Sequence, residues 1–489
     1  MLKIYNTLGK KLEEFKPIKP GQVSIYVCGP TVYDYLHVGN FRGPVFFNFV
    51  KNWLEHIGYK VEYALNFTDV EDKIINRAVV EKKTAKEISE FYIQEYKKDF
   101  LSLGLTPHDY NPKVTDHMPE IIQMISQLIE NKKAYVTSGV GQAQDVNYSI
   151  SDFKDYGKLS GRKPEELQSG VRIEVDEKKK NPLDFALWKS AKSEEANWPS
   201  PWGAGRPGWH IECSAMIHAL FGNQIDIHGG GLDLMFPHHE NEIAQSEGCT
   251  GETFVKYWMH WNMIQFNGAK MSKSIGNIIS LRDFLKDQHP EIYKWMMLTV
   301  HYRSTAEFGV EAIDRAISGL ARVYSALAMA ETVLATCTGE AKKDEKFETE
   351  LTLAWQKIME AFNDDFGTPA GFAVMFDVIR GFNAKNKRGM KPIPTTQSQC
   401  EQFIAFIKTF GRLLSLFQQP ASDFLTSLDN QLLKKSGVSR DLVDQLVQER
   451  AAARLAKDFA RSDELRKKLT DMNIAVSDLP TGSFWEVVK

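Results

Sequence analysis

A strand–helix–strand pattern near the start of the chain limits the folds that this sequence can adopt. Val23 to Cys28 is a short run rich in β-branched residues, bounded by Gly21 and by Gly29-Pro30, and this pattern predicts a buried strand. A helical stretch over 39–56 and a second strand over 60–67 follow. Two strands joined by one helix within about 45 residues predict a βαβ unit in a parallel sheet, with functional sites at the carboxyl ends of its strands.

Length and composition bound the class of protein. The 489 residues suffice for about three domains at roughly 150 residues each. Lys and Arg number 60 against 63 Asp and Glu, so the net charge of −3 gives no overall basic excess. Apolar runs long enough to span a bilayer are absent from the sequence, so we expect no membrane segment. Five widely spaced cysteines argue against a disulfide framework and favour a reducing, cytoplasmic compartment.

The residue pattern of the sequence changes twice along the chain. From about 115 to 201, strand-like alternation at 170–175 stands beside a charged run, which indicates an inserted module. After about residue 306 the pattern is almost wholly helical, and a last small unit occupies 439–489. We therefore predict an α/β parallel-sheet domain with an insertion, followed by a helical bundle and a small C-terminal domain.

The loop from Thr31 to Asn40 directly follows the first predicted strand and opens a helix. The free N–H groups and dipole of a helix start favour phosphate, and Gly39 would let a ligand approach the backbone. His37 and Asn40 can donate hydrogen bonds to phosphate oxygens. The alternative is an ordinary strand-to-helix loop in which His37 is a capping residue.

A second loop, Lys270-Met271-Ser272-Lys273-Ser274, carries glycines on both sides at Gly268 and Gly276. Two lysines separated by small residues in such a loop suit a mobile clamp on a triphosphate. A solvated basic loop is the alternative.

Four separated residues have the chemistry of a metal site. Cys28 ends the first strand, Cys213 lies far along the chain, and His238 and Glu242 are four residues apart, on one face of a helix expected to start near Pro237. Two thiolates, an imidazole and a carboxylate suit Zn²⁺. Spacing alone leaves a buried core role open for Cys28, and it leaves competing ligands open as well, namely His210, His239 and Glu240.

The two loops together resemble the nucleotide-binding elements HIGH and KMSKS of class I aminoacyl-tRNA synthetases. Here the first is His37-Val38-Gly39-Asn40, and the second is intact. Longer passages, extending into the tail at 457–463, resemble the cysteine-specific members of that family: 28–34, 66–69, 184–189, 205–214, 226–231 and 236–242. The resemblance covers nearly the whole chain.

The resemblance implies an enzyme that joins L-cysteine to tRNA(Cys) with ATP, with one Zn²⁺ per chain, Mg²⁺ accompanying ATP, and a monomeric form. It implies that Cys28, Cys213, His238 and Glu242 hold the zinc. The substrate cysteine would bind this zinc through its thiolate, and this contact would select cysteine over serine. It also divides the chain into domains. A Rossmann-like catalytic domain is split over 1–114 and 202–265 by an inserted connective module over 115–201. The KMSKS loop and linking segment over 266–305, an anticodon-binding bundle over 306–425 and a tRNA-binding domain over 439–489 follow.

The resemblance further assigns individual site residues. His37, Asn40, Lys270 and Lys273 would stabilise the transition state, and ATP would contact these together with Thr31, Gly39 and Ser272. The amino acid would contact Cys28, Gly29, Thr68, Trp209, His228 and Asp233. For Trp209 the alternative is a core aromatic.

Basic residues in the tail predict an RNA contact. Arg450, Arg454, Lys457 and Arg461 are spaced by four, three and four residues, which would place them on one helical stripe facing tRNA phosphates. A solvated helix face is the alternative. Trp485 would stack on a base or close the core of the tail.

Two rival functions share many of these motifs. A ligase that joins cysteine to a small amine would have no use for the tail, and a catalytically silent tRNA-binding paralogue would not need the intact 270–274 motif.

Overall fold

A computed structural model of the chain describes residues 1–162, 178–192, 196–266, 269–270, 278–337, 342–386, 393–479 and 482–489. Two short antiparallel strands, β1 (Lys3–Asn6) and β2 (Lys11–Glu14), come first. The predicted strand-like stretch at 170–175 lies outside the described residues. No helix in these ranges combines the length and apolarity needed to cross a bilayer.

A four-stranded parallel sheet forms the centre of the fold. Its strands are β3 (Gln22–Val27), β4 (Lys60–Leu65), β9 (Ile225–Gly231) and β10 (Val255–Trp261), in the spatial order β10-β9-β3-β4. The predicted βαβ unit is confirmed, because a 3₁₀ turn and helix α1 (Arg42–His56) connect the parallel strands β3 and β4. The apolar side chains of β3 are buried, as expected for a strand covered on both faces.

The order of the strands fixes where a ligand can bind. From β3 the chain crosses to β4 on one side, whereas β10 lies on the other side of β9. The crevice between the carboxyl ends of β3 and β9 is therefore a topological switch point, the usual place for ligands in open α/β sheets. Three helices complete the first part of the chain: α2 (Asp72–Glu81), α3 (Ala85–Ser102) and α4 (Met118–Glu130).

The inserted stretch and the residues directly after it build a separate antiparallel sheet, which extends past the predicted boundary at 201. It contains β5 (Ala134–Ser138), β6 (Gln144–Tyr148), β7 (Phe185–Ser190) and β8 (Gly205–Pro207) in sequential order. Helices α5 (Ile211–Phe221) and α6 (Glu240–Thr250) then flank β9 along the chain.

A small three-stranded sheet follows β10. Strand β11 (Ile264–Phe266) pairs antiparallel with β12 (Ala269–Lys270) and parallel with β13 (Ala306–Phe308). Helices α7 (Leu281–Asp287) and α8 (Pro290–Leu298) lie between β12 and β13 in the chain.

Beyond β13 the described residues are mostly helical, as predicted, apart from one final hairpin. The bounds are α9 (Val310–Thr336), α10 (Glu345–Asn363), α11 (Thr368–Lys385), α12 (Thr396–Leu414), α13 (Ala421–Ser436), α14 (Arg440–Leu455), α15 (Phe459–Asp471), β14 (Ile474–Leu479) and β15 (Gly482–Val487). The pair β14 and β15 is antiparallel.

The prediction that the basic residues of the tail share one face of a single helix is wrong. Helix α14 ends at Leu455, and Lys457 adopts a left-handed conformation with φ of 58° before α15 begins. Arg450 is only 4% exposed and donates two hydrogen bonds to the carboxylate of Asp478. Arg450 therefore stabilises the tail internally, and its side chain does not face solvent where a phosphate would lie.

Candidate functional site

Four chain segments bring the predicted metal ligands together. Cys28 follows β3 directly, and Cys213 lies in the first turn of α5. Glu242 lies in the first turn of α6, whereas His238 lies in the irregular turn before it. The predicted helix start near Pro237 is confirmed, because Phe236 is extended with φ of −141° and the residues after it are helical, first in a π turn and then in the regular α-helix from Glu240.

The two sulfur atoms have the separation expected at a tetrahedral site, and the imidazole and carboxylate lie close to them. The Sγ atoms of Cys28 and Cys213 are 3.7 Å apart, and Cys28 Sγ is 3.4 Å from Glu242 Oε1. His238 Nε2 lies 2.7 Å from the same carboxylate oxygen. Two sulfurs bound tetrahedrally to zinc at about 2.3 Å would be about 3.8 Å apart, so the sulfur separation matches. The cluster is buried and its donor atoms all lie within 4.8 Å of one another, so it could hold a metal ion.

The electrostatics of the cluster favour a cation. The Cys213 sulfur accepts a hydrogen bond from Cys28 and interacts with His238. Both contacts lower the pKa of the Cys213 thiol, to about 6. Burial opposes the charging of His238, but Glu242 and Cys213 outweigh it and raise the pKa of His238 to about 10. The contacts within the cluster thus lower the pKa of the Cys213 thiol and of the Glu242 carboxyl and raise that of His238, so they favour the charged forms of all three groups. A divalent cation that took the place of the imidazolium proton would compensate both negative charges.

His228 lies behind the cluster. Its Nε2 is 2.5 Å from Glu242 Oε2, and its ring is stacked on Trp258 at a centroid distance of 4.6 Å. Such a histidine fixes the orientation of a ligating carboxylate. His228 was predicted as a substrate contact, yet it does not line the cleft described below.

The alternative ligands occupy different positions. His239 joins Cys28, His228 and Glu242 in a second possible cluster that shares two members with the first, so it stays an alternative. His210 is one layer removed, with Nδ1 3.1 Å from His238 Nδ1. Glu240 accepts hydrogen bonds from main-chain N–H groups of the loop at 157–160, which gives it a structural role.

A cleft of about 340 Å³ opens at the carboxyl ends of β3 and β9. It brings together most of the predicted ATP and amino-acid contacts that the structure describes: Cys28, Gly29, Thr31, His37, Gly39, Asn40, Trp209 and Asp233. Trp209 is 42% exposed and stands beside the His238 ring at 4.5 Å, so the core alternative for Trp209 is wrong. One member of the candidate metal cluster, Cys28, therefore lines the same cavity as the 31–40 loop.

His37 and Asn40 form a reciprocal cap at the start of the 3₁₀ turn Val38–Phe41. His37 Nδ1 accepts a hydrogen bond from Gly39 N–H, and Asn40 Oδ1 accepts one from His37 N–H. The neutral His37 ring then carries its proton on Nε2, and the Asn40 side chain retains its NH₂ group as a donor. The capping alternative and the phosphate-binding role are therefore compatible.

Thr68 is buried rather than exposed in the cleft. Its hydroxyl lies 3.4 Å from Glu212 Oε2, and its main chain bridges to Thr31. A direct contact of Thr68 with the amino acid stays a prediction.

The second motif is described only at its first residue. The main chain of Lys270 pairs with Gln265 in the β11–β12 hairpin. Ser272 and Lys273 lie outside the described residues, so their predicted contacts stay predictions.

Sequence reasoning missed one wall of the cleft. Trp261, Asn262, Met263 and Ile264 line it where β10 ends. The carboxyl end of a parallel strand is a signal that could have identified them.

Comparison with known protein families finds matches to two parts of the chain. Residues 14–318 match the family described as "tRNA synthetases class I (C) catalytic domain", and residues 357–418 match the DALR domain. The chain is 62% identical to the cysteine–tRNA ligase of Bdellovibrio bacteriovorus, with all of both chains covered, and 43% identical to that of Geotalea daltonii, with 99% of each covered.

Among solved structures, the chain is similar to Mycobacterium tuberculosis methionyl-tRNA synthetase in complex with methionyl-adenylate. The TM-score is 0.61 at 13% identity, covering 87% of this chain and 94% of that one. At this identity the similarity is one of fold.

Proposed function

The chain belongs to the cysteine–tRNA ligases, a family of class I aminoacyl-tRNA synthetases, and from this premise we propose how its residues activate L-cysteine with ATP and transfer it to the 3′ end of tRNA(Cys). The observation that best supports the proposal is the shared cleft. Cys28, which belongs to the buried Cys28–Cys213–His238–Glu242 cluster, lines the same 340 Å³ cavity as His37 and Asn40 of the cap. A thiol held at the cluster would thus lie beside a phosphate held at the cap.

Selectivity against serine would come from the cluster. Serine is nearly isosteric with cysteine, so a packing pocket alone would discriminate weakly between them. When bound, Zn²⁺ would supply a soft acceptor for a thiolate that a hydroxyl cannot match at neutral pH. Cys28, Cys213, His238 and Glu242 would hold the ion, with His228 orienting Glu242. Trp209, which is half-exposed beside His238, would cover the substrate side of the site.

Adenylate formation would depend on positioned donors more than on a general base. The carboxylate of cysteine attacks the α-phosphorus of ATP and pyrophosphate leaves, so negative charge moves onto the leaving group. His37 Nε2–H and the Asn40 amide would donate to phosphate oxygens from one side, and Lys270 and Lys273 would supply positive charge from the other. Mg²⁺ would accompany the triphosphate.

Transfer would follow when a hydroxyl of the terminal tRNA ribose displaces AMP from the adenylate. The helical bundle at 306–425, which contains the DALR match, would bind the anticodon arm together with the tail at 439–489. Of the predicted tail contacts, the exposed Arg454, Lys457 and Arg461 and the half-buried Trp485 remain candidates. We further propose that the enzyme acts as a monomer in the cytoplasm.

Charging of purified tRNA separates this function from its rivals. We expect the full chain to esterify tRNA(Cys) with labelled cysteine and to leave serine uncharged. A ligase that uses small amines would consume ATP and cysteine without charging tRNA. A silent paralogue would bind tRNA and show no ATP-dependent step at all.

A further inference from the structure

Arg42, the first residue of α1, is a buried cation whose guanidinium, among the residues that the structure describes, binds only main-chain oxygens. It is 2% exposed, and five hydrogen bonds to described residues all end on carbonyl groups. The acceptors and distances are Asn262 O at 2.7 Å, Met263 O at 2.6 Å, His301 O at 3.3 Å, Tyr302 O at 3.3 Å and Ser304 O at 2.5 Å. Although burial lowers the pKa of Arg42 to about 10, the side chain stays protonated at neutral pH.

The five carbonyls belong to two segments that precede paired strands. Residues 262–263 lead into β11, and residues 301–304 lead into β13. These strands run parallel, with Ile264 opposite Ala306. The guanidinium therefore joins the starts of both strands. A charged donor makes these hydrogen bonds stronger than neutral ones, and its removal would leave several buried carbonyls without a partner.

Both ends of this connection reach the cleft. On the Arg42 side, the His37–Asn40 cap lies immediately before α1 in the chain. On the carbonyl side, Asn262, Met263 and Ile264 line the same cleft, and β11 continues into the β12 strand that ends at Lys270. One side chain thus connects the two nucleotide-binding motifs.

Gly43 adds a second constraint at the same junction. A Cβ atom on Gly43 would lie 2.4 Å from the ring of Trp261, which directly precedes the 262–263 carbonyls. The absence of a side chain lets Trp261 lie against the start of α1. Helix and loop are therefore fixed both by this close contact and by the guanidinium.

We propose that Arg42 is a positioning residue for adenylate formation, which sets the placement of the hairpin leading to Lys270 relative to the His37–Asn40 cap. This inference rests on the proposed function, because it assumes that both motifs act on ATP. Displacement of a catalytic group by about 1 Å can cost about 100-fold in rate. Since the contacts of these motifs strengthen as charge moves, their loss lowers kcat more than it weakens ATP binding.

The test compares Arg42→Met with Arg42→Lys in cysteine-dependent ATP–pyrophosphate exchange, with thermal unfolding measured in parallel. For Arg42→Met we expect kcat to fall by about 100-fold while KM for ATP changes by less than about 5-fold. Arg42→Lys keeps the charge but has fewer donors, so an intermediate kcat is expected. Arg303→Met is the matched control, because Arg303 lies between the same carbonyl-bearing residues but pairs with Asp365; its kcat should stay within about 2-fold.

A double-mutant cycle separates positioning from general destabilisation. If Arg42 acts through the hairpin, Arg42→Met should cost less than about 5-fold in kcat when Lys270→Ala is already present. Multiplicative losses in the double variant would overturn the proposal, as would an unchanged kcat in Arg42→Met. Failure of both Arg42 variants to fold would also overturn it, since Arg42 would then serve the fold. Absence of exchange by the unaltered enzyme would instead refute the proposed function.

Discussion

The Sγ atoms of Cys28 and Cys213 lie 3.7 Å apart although 185 positions separate them in the chain. One thiol follows a strand of the central sheet and the other starts a helix beyond the inserted module. Such a pair of buried thiols, with His238 and Glu242 in contact, is a site that the whole fold assembles.

Removing one thiol should remove both the metal and cysteine activation. Cys213→Ala leaves three donors, so we expect zinc content well below one per chain and pyrophosphate exchange reduced by more than about 100-fold. Metal analysis and exchange on the same preparation measure the two effects. Cys249→Ala is the control, because Cys249 is a free, partly buried thiol outside the cluster. Full exchange in zinc-free Cys213→Ala would contradict the metal-based account.

His228 should act through Glu242 and not through the substrate. Its Nε2 is 2.5 Å from Glu242 Oε2, so His228→Ala frees that carboxylate and should weaken zinc binding by about 10- to 100-fold. Competition with a chelator measures this affinity. His218→Ala, an exposed change on α5, serves as the control. Unchanged zinc affinity combined with a raised KM for cysteine would make His228 a substrate contact instead.

Two substitutions at Asn40 distinguish its role in capping the 3₁₀ turn from its role as a hydrogen-bond donor to phosphate. Asn40→Asp keeps an oxygen that can accept the hydrogen bond from His37 N–H. It replaces the amide NH₂ donor, however, with a carboxylate whose negative charge would lie near the phosphate. We expect thermal stability to stay close to that of the unaltered enzyme while kcat for adenylate formation falls by about 100-fold or more. Asn40→His, which restores the family's motif, should retain activity within about 10-fold. Equal activity of the Asp variant and the unaltered enzyme would exclude a phosphate contact.

The stability of the tail should depend on Asp478. Asp478 accepts hydrogen bonds from Arg450 and Arg454, and its pKa lies well below the usual range because of Arg450. Since Asp478 is about one-third exposed, Asp478→Asn should lower the free energy of unfolding of the tail by about 1–2 kcal/mol. Limited proteolysis near residues 456–458 measures this change. Arg461→Ala, which breaks exposed ion pairs only, should change proteolysis little.

The same ion pair predicts a pH dependence. A carboxyl group whose pKa is lowered by folding contributes stability above its unfolded pKa of about 3.9 and loses that contribution as the pH falls below it. Proteolysis of the tail should therefore be constant between about pH 5 and 8 and should increase only under more acidic conditions. A loss of protection centred near neutral pH would show that a different group controls the tail.

Local patterns in the sequence predicted the elements that short-range chemistry determines. The strand ending at Cys28, helix α1 and strand β4 follow from residue type and periodicity, and the structure confirms them. The loop from Thr31 to Asn40 was placed at a strand end for the same reason. The resemblance to a known family then supplied the metal ligands, because spacing alone could not choose among seven candidate residues.

Long-range contacts explain what the sequence did not reveal. Arg42 binds carbonyls 220 or more positions away, and nothing in the local pattern indicates which oxygens fold back onto it. The basic stripe of the tail failed because the helix breaks near Lys457. A signal for that break was present, since Asp458 caps α15 by accepting a hydrogen bond from Arg461 N–H at 3.0 Å.

ATP–pyrophosphate exchange by zinc-quantified enzyme, with cysteine and with serine and without tRNA, tests the central claim most directly. The account predicts about one zinc per chain and exchange with cysteine that exceeds exchange with serine by several orders of magnitude. Comparable exchange with serine, or undiminished cysteine exchange after the zinc has been removed, would contradict it.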